Sequence, residues 1–302
     1  MHRLANHARQ TAGVGTVGVG FRTCVAAALL GLVSGCAGLS SDDAKSTSAP
    51  DNAVDVPPST EVRPGVDAWV IEPGSGSSEA GAVIVLVPGG GWVAADPGGL
   101  VPLAKALADD GATVVGITYR TSSDGAYFPE PVEDVACGVA YAVREAQDRG
   151  LLTEQVVVVG HSAGAQLGAL VALADDGFAA RGCPYEPVLA DRLVGLAGPY
   201  DVTALPGAAS NLFGPEYPNP DDWGPGDPFT LVADRPEVEV LLVHGAADTL
   251  VAPAFSEQFA RALESAGHDV TAEYPAGVDH QSVYSAQVAA GPIGSWLGLD
   301  QR

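Results

Sequence analysis

The chain is poor in basic residues and in cysteine, and its apolar runs are short. Fourteen Lys and Arg stand against 37 Asp and Glu among 302 residues, a formal net charge of −23 at pH 7. The long-range field of such a molecule repels phosphate backbones and anionic headgroups, so no nucleic-acid partner is expected. Four cysteines without a paired spacing exclude the usual zinc frameworks, and no phosphate-cradling glycine loop is present; no metal and no cofactor are expected. The run from Cys24 to Val33 holds about ten apolar residues, well short of the roughly 20 that span a bilayer. No internal repeat is visible. What remains, with 47% hydrophobic and 17% charged residues, is the composition of a folded globular chain, neither a disordered polymer nor a collagen-like repeat.

Residues 1 to 22 carry Arg3, Arg9 and Arg22 and no acid, and the short apolar run follows. That order is the pattern of an export signal. Its end, Leu32-Val33-Ser34-Gly35-Cys36, resembles the lipobox of bacterial lipoproteins. The resemblance implies that residues 1–36 are a lipoprotein signal peptide and that Cys36 is lipidated. The exported chain would then be anchored to the outer face of the cell membrane; ordinary secretion after a cut nearby is the alternative. Two or three acyl chains on one residue anchor stably where one does not, so membrane contact is expected through that anchor alone. Cys137 and Cys183 then remain, and in an exported chain they either close one disulfide or stay as two buried free thiols. Residues 37–64, rich in Ser, Asp, Ala and Thr and holding Pro50, Pro57, Pro58 and Pro64, read as a flexible linker. The folded domain is expected over 65–302.

Within it, Ala82–Val87, Ala112–Thr118, Gln155–Val159, Arg192–Leu196 and Val238–Val243 are continuous β-branched and apolar runs, the pattern of parallel strands covered on both faces. Asp67–Ile71 and Asp269–Tyr274 alternate more weakly and read as edge strands. Between them, Leu100–Asp109, Pro131–Gln147, Ala163–Ala174, Ala252–Ala266 and Gln281–Trp296 space their apolar residues as helices do. Strand and helix in alternation over this length predict an α/β fold: a mostly parallel, doubly wound sheet of seven or eight strands flanked by helices. The interval 199–229 breaks the rhythm. It is rich in Pro, Gly and aromatic residues and reads as a lid or pocket wall.

Gly160-His161-Ser162-Ala163-Gly164 follows a buried strand and opens a helix, the context that a G-x-S-x-G nucleophile elbow needs. A serine in so sharp a turn requires neighbours two positions away without colliding side chains, and both are glycine. The turn also puts the Ala163 N–H at a helix N-terminus, where it can face a developing oxyanion. Pro88-Gly89-Gly90-Gly91-Trp92 directly follows the strand 82–87, and Gly90 and Gly91 are the candidates for further oxyanion donors. A serine hydroxyl needs a base, and the base an orienting acid. Among six histidines, His280 lies in a loop after the last strand, while His244 ends a strand and His268 sits in a turn. Asp248, in the loop after 238–243, is the candidate acid, with Asp279 and Asp201 as rivals. The order Ser162, Asp248, His280 is that of α/β-hydrolases.

Together these residues resemble the α/β-hydrolase superfamily, and within it small carboxylesterases related to the hormone-sensitive-lipase-like and the feruloyl or acetylxylan esterase-like groups. Tyr119-Arg120, Phe128-Pro129, Glu133-Asp134 and Gly198-Pro199-Tyr200-Asp201 fit the same pattern over about residues 66 to 298. One departure stands out: Pro88 occupies the place of the histidine that usually precedes the glycines and braces their loop. The resemblance implies a serine esterase acting on a small-molecule ester; Trp92, with Tyr200, Phe213 and Trp223 of the aromatic interval 199–229, is the candidate substrate pocket. An aryl-formamide or peptide hydrolase on the same fold, or a ligand-binding lipoprotein without catalysis, are the alternatives. The sequence sets no oligomeric state.

Overall fold

A computed structural model describes residues 54–74, 81–176, 178 and 181–299. The leader with Cys24 and Cys36, and the linker up to residue 53, lie outside the described residues. No described helix is long and apolar enough to cross a membrane.

Eight strands form one sheet: β1 (Thr60–Arg63), β2 (Val66–Ile71), β3 (Ala82–Val87), β4 (Thr113–Ile117), β5 (Gln155–His161), β6 (Arg192–Leu196), β7 (Glu239–Val243) and β8 (Val270–Glu273). Their order is β1-β2-β4-β3-β5-β6-β7-β8. β2 runs antiparallel to β1 and β4, and every later pairing is parallel. Among the described residues six α-helices flank it: α1 (Val101–Asp109), α2 (Glu130–Asp148), α3 (Ala163–Leu173), α4 (Pro206–Phe213), α5 (Ala254–Ala266) and α6 (Ala286–Leu297).

The strand sequences explain the layering. Successive side chains of a strand point to opposite faces. Val83, Val85 and Val87 of β3 accordingly join a core with α2, α3 and α5, while Ile84 and Leu86 join a second core with α1 and α6. Both faces are dry, so a polar residue inside β3 would be buried whichever way it pointed. Each of these side chains contributes roughly 1.5–3 kcal/mol by leaving water. On α5, Ser256, Phe259, Ala260 and Leu263 are the buried stripe, and Gly267, at φ 104°, ends the helix in a left-handed turn that a side chain would strain.

Two expectations are corrected. Residues 60–63, read as linker, form β1, because the Pro64-Gly65 turn folds them back onto β2 and buries Val62. β2 is therefore an inner strand, not an edge. The expected helix 281–296 begins only at Ala286, after a 3₁₀ turn at Ser282–Tyr284.

Two cross-links fix the frame. Cys137 on α2 and Cys183 are disulfide-bonded, the first of the two states left open by the sequence. A bridge of this kind stabilises by about 2–4 kcal/mol. The carboxylate of Asp134, fully buried on α2, accepts from the Arg120 backbone N–H and guanidinium, with Arg63 of β1 3.4 Å away. That hydrogen bond to Asp134 holds the Arg120 guanidinium even more firmly protonated than usual.

Candidate active site

The site is assembled at the C-terminal ends of the parallel strands. β5 ends at His161 and α3 begins at Ala163, so Ser162 alone makes the turn, at φ 52° and ψ −122°. Such a conformation costs a non-glycine residue about 1–3 kcal/mol and persists only where the surroundings enforce it. They do: the Ser162 N–H donates to the Leu196 carbonyl at 2.8 Å. A Cβ on Gly160 would collide with the backbone of Gly164 and Ala165, and one on Gly164 with the carbonyls of Val87 and Pro88. The elbow therefore packs backbone to backbone against the glycine loop.

Ser162 Oγ lies 2.9 Å from His280 Nε2, and His280 Nδ1 lies 2.7 Å from Asp248 Oδ2. Asp248 comes from the loop between β7 and α5, His280 from the loop after β8. The backbone N–H groups of Leu250 and Val251 both donate to Asp248 Oδ1 at 2.9 Å. Burial pushes this carboxyl up, but the hydrogen bonds from His280, Val251 and Leu250 outweigh it and hold it below the usual carboxylate range. The two rival acids are occupied elsewhere: Asp201 caps a 3₁₀ turn through Thr203 and Ala204, and exposed Asp279 accepts from Gln281 and Ser282.

His161 braces the base from behind. Its Nε2–H donates to the His280 carbonyl at 2.9 Å, and its ring lies 4.9 Å from that of His280 and 4.5 Å from that of Tyr284. Burial, aided by His280, lowers its pKa from 6.5 to about 4, so the ring is neutral.

Opposite Ser162 lies the glycine loop. Gly90, Gly91 and Ala163 line the same cavity, and their N–H groups have no hydrogen-bond partner among the described residues. The Gly90 carbonyl accepts from Val93 and Ala94, which, across a planar trans peptide, turns the Gly91 N–H the other way. Where the resemblance leads one to expect a bracing histidine, Pro88 offers its carbonyl to the Tyr119 hydroxyl at 3.0 Å. From the other side, Asn211 of α4 donates to the Gly91 carbonyl at 3.2 Å.

The cavity measures about 420 Å³. Trp92 is in its wall, with the indole N–H donating to Gln166 Oε1. The other three expected pocket residues are not. Tyr200 stacks on Phe259 at 4.1 Å, and Phe213 stacks on Trp223 at 4.6 Å; all three are buried in the core. Ring surface of that size is better covered by ring than by water, which turns the aromatic residues of 199–229 inward. The wall is instead Leu100, Pro199, Leu205, Ala208, Leu250 and Val251, with Gln281 and Tyr284 at its edge. Leu205 and Ala208 were missed because Leu205 stands just before α4, and α4, opening on Pro206, is too short to show a period. Gln166 did leave a signal: it is the one polar side chain in the Ala163–Leu173 run, and it ties Trp92 to the Gly226 carbonyl.

Residues 71–263 match the model of the BD-FAE family. Over 91 residues the chain is 33% identical to a probable isoprenylcysteine alpha-carbonyl methylesterase of Oryza sativa subsp. japonica. That stretch is 30% of this chain and 21% of the plant protein, so the chain spans about a fifth of that curated relative. A truncated carbohydrate esterase from gut microbiota superposes with a TM-score of 0.65 at 18% identity, over 78% of this chain and 91% of that one. Carboxyl esterase 2 of the mycorrhizal fungus Tuber melanosporum gives 0.64 at 19% identity, over 84% and 88%. At such identities the likeness to these structures is one of fold. The family match covers the greater part of the chain, from the glycine loop through the elbow to the Asp248 loop: the chain belongs to the BD-FAE family and has the α/β-hydrolase fold.

Proposed function

We propose that the protein is a serine carboxylesterase that works through an acyl-enzyme on Ser162. The observation that carries this reading is the unbroken hydrogen-bond chain from Ser162 through His280 to Asp248, opening on a cavity whose rim holds unpaired amide hydrogens. His280 Nε2 takes the hydroxyl proton as Ser162 Oγ bonds to the ester carbonyl carbon. The oxygen, now negative, is met by the N–H groups of Ala163, Gly90 and Gly91. The carbon–oxygen bond to the alcohol then breaks, and His280 gives its proton to the departing oxygen. Water repeats the sequence on the acyl-enzyme and frees the acid. Asp248 holds the imidazole in the tautomer with hydrogen on Nδ1 and balances the imidazolium charge.

The substrate is a small, uncharged ester. Among the described residues no Lys or Arg lines the cavity, its wall is mainly aliphatic, and Asp96 lines it in a molecule of net charge −23. An anionic acyl or alcohol group would find no counter-charge there. An aryl-formamide substrate would call for a ring-sized aromatic pocket, whereas Tyr200, Phe213 and Trp223 turn into the core and leave Trp92 in the wall. The lipid anchor remains a proposal from residues 1–36: incorporation of labelled fatty acid should disappear in Cys36→Ser.

Ser162→Ala should lower p-nitrophenyl acetate turnover by about 10³-fold or more while leaving the melting temperature in place. A fluorophosphonate probe should label the wild type and not the variant. A folded Ser162→Ala protein that still turns over ester would overturn the assignment, and a well-folded wild type that resists the probe would favour the binder without catalysis.

A further inference from the structure

A second histidine touches the acid of the site. His244 follows β7 directly and is wholly buried. Its Nε2 lies 2.9 Å from the Val251 carbonyl and 3.2 Å from Asp248 Oδ2, the oxygen that also faces His280. Its Nδ1 lies 2.7 Å from Ser256 Oγ on α5.

The chemistry of the partners fixes the ring. A carbonyl only accepts, so the hydrogen is on Nε2. Nδ1 then carries a lone pair, and the Ser256 hydroxyl donates to it. Burial lowers the pKa of His244, which agrees with a neutral ring. The Nε2–H thus does two things at once. It ties down the Val251 carbonyl, and with it the turn 248–251 whose Leu250 and Val251 N–H groups hold Asp248 Oδ1. It also lays a positive edge against Oδ2, so that the carboxylate meets hydrogens at both oxygens.

We propose that His244, locked in its Nε2–H tautomer by Ser256, is a positioning residue that sets the orientation of Asp248 toward His280. This rests on the reading of Ser162, His280 and Asp248 given above. A ring that merely filled space could be replaced by any side chain of its size; a ring that acts through one N–H could not. Glutamine can place an amide N–H where Nε2 stands, whereas the shorter asparagine reaches only the Nδ1 position, and leucine offers volume alone.

The test compares His244→Gln, His244→Asn and His244→Leu with the wild type. Probe titration counts the active sites, and the readouts are kcat and KM for p-nitrophenyl acetate and the far-downfield proton resonance of the His280 Nδ1–H, assigned by its loss in Asp248→Asn. The expected result is that His244→Leu and His244→Asn lose about tenfold or more in kcat per titrated site, with KM within about twofold and the resonance lost or moved upfield. His244→Gln should keep most of both. Equal behaviour of Gln and Leu, or an unmoved resonance in all three, would overturn the proposal. If the His244 variants do not fold, Ser256→Ala decides: a reduced kcat with a shifted resonance upholds it, and wild-type values for both overturn it. Active Ser162→Ala would remove the catalytic reading instead, while the resonance would still report whether His244 orients the pair.

Discussion

The elbow and glycine loop, residues 160–164 and 88–92, and the interval 199–229 lie at the same end of the sheet, yet sequence speaks for them unequally. In the first pair the chemistry is made by backbone: a strained φ at Ser162, glycines where a Cβ would collide, amide hydrogens left unpaired. Those demands are local and leave glycines at fixed spacings. In the second, everything depends on which way Tyr200, Phe213 and Trp223 turn, and that is decided by Phe259 and Phe128, far away in the chain. A backbone constraint is written at its own position, whereas an irregular segment's side-chain direction is written in its partners.

The sharpest way to break this contrast is Gly164→Ala. The added methyl meets the carbonyls of Val87 and Pro88, which no rotamer can relieve, so destabilisation of about 4 kcal/mol or more and loss of turnover are expected. Near-normal denaturant melts and activity would show that the elbow tolerates what its packing forbids. Next comes Trp223→Ala, which should cost about 3–5 kcal/mol in urea titration as a core truncation, while the folded protein keeps its KM. A changed KM with unchanged stability would return that residue to the pocket.

The third test is of acid. His161 titrates near its usual 6.5 when unfolded and at about 4 when folded. Between these values the unfolded chain binds the extra proton, so the stability that the neutral ring contributes is present above 6.5 and declines as the pH falls towards 4, by about 3 kcal/mol in all. Asp227, which burial raises to about 6, acts in the opposite sense: its folded form binds the proton first, so its share of stability grows as the pH falls through 6. Urea titrations from pH 7 to 4 in an Asp227→Asn background should therefore show the decline, and His161→Phe in that background should make it shallower, leaving the part that buried His244 contributes in the same sense. The smallest effect is expected from Ala208→Phe, which should shorten the longest accepted acyl chain and shift selectivity among esters by about tenfold, with little change in melting temperature.

The parallel core was legible because β3 to β7 are buried on both faces and, but for the first residues of β4 to β7 and His161 at the end of β5, are apolar; Ala82–Val87 is a strand in the sequence and in the structure. Ser162 and Asp248 were readable as candidates for a related reason, since each follows a strand of that kind; His280 follows the weakly patterned β8 and stood out only as a histidine in a loop. β1 was not, because one buried valine among Thr, Glu and Arg carries no pattern until the Pro64-Gly65 turn lays it on β2. Nor was the wall of the cavity. Leu205 caps an eight-residue helix and Ala208 lies on it, and nothing local marks them as facing a substrate.

The bond from Asn211 to the Gly91 carbonyl gives that helix a second consequence. Leu205 and Ala208 limit the room for a ligand, and the same α4 grips the loop whose amides would receive the developing charge. A guest too bulky for the space must lift α4 and so disturb the loop at the moment it is needed. Misfit would then register as slow turnover more than as weak affinity, and the enzyme would measure its substrates by how fast it lets them react.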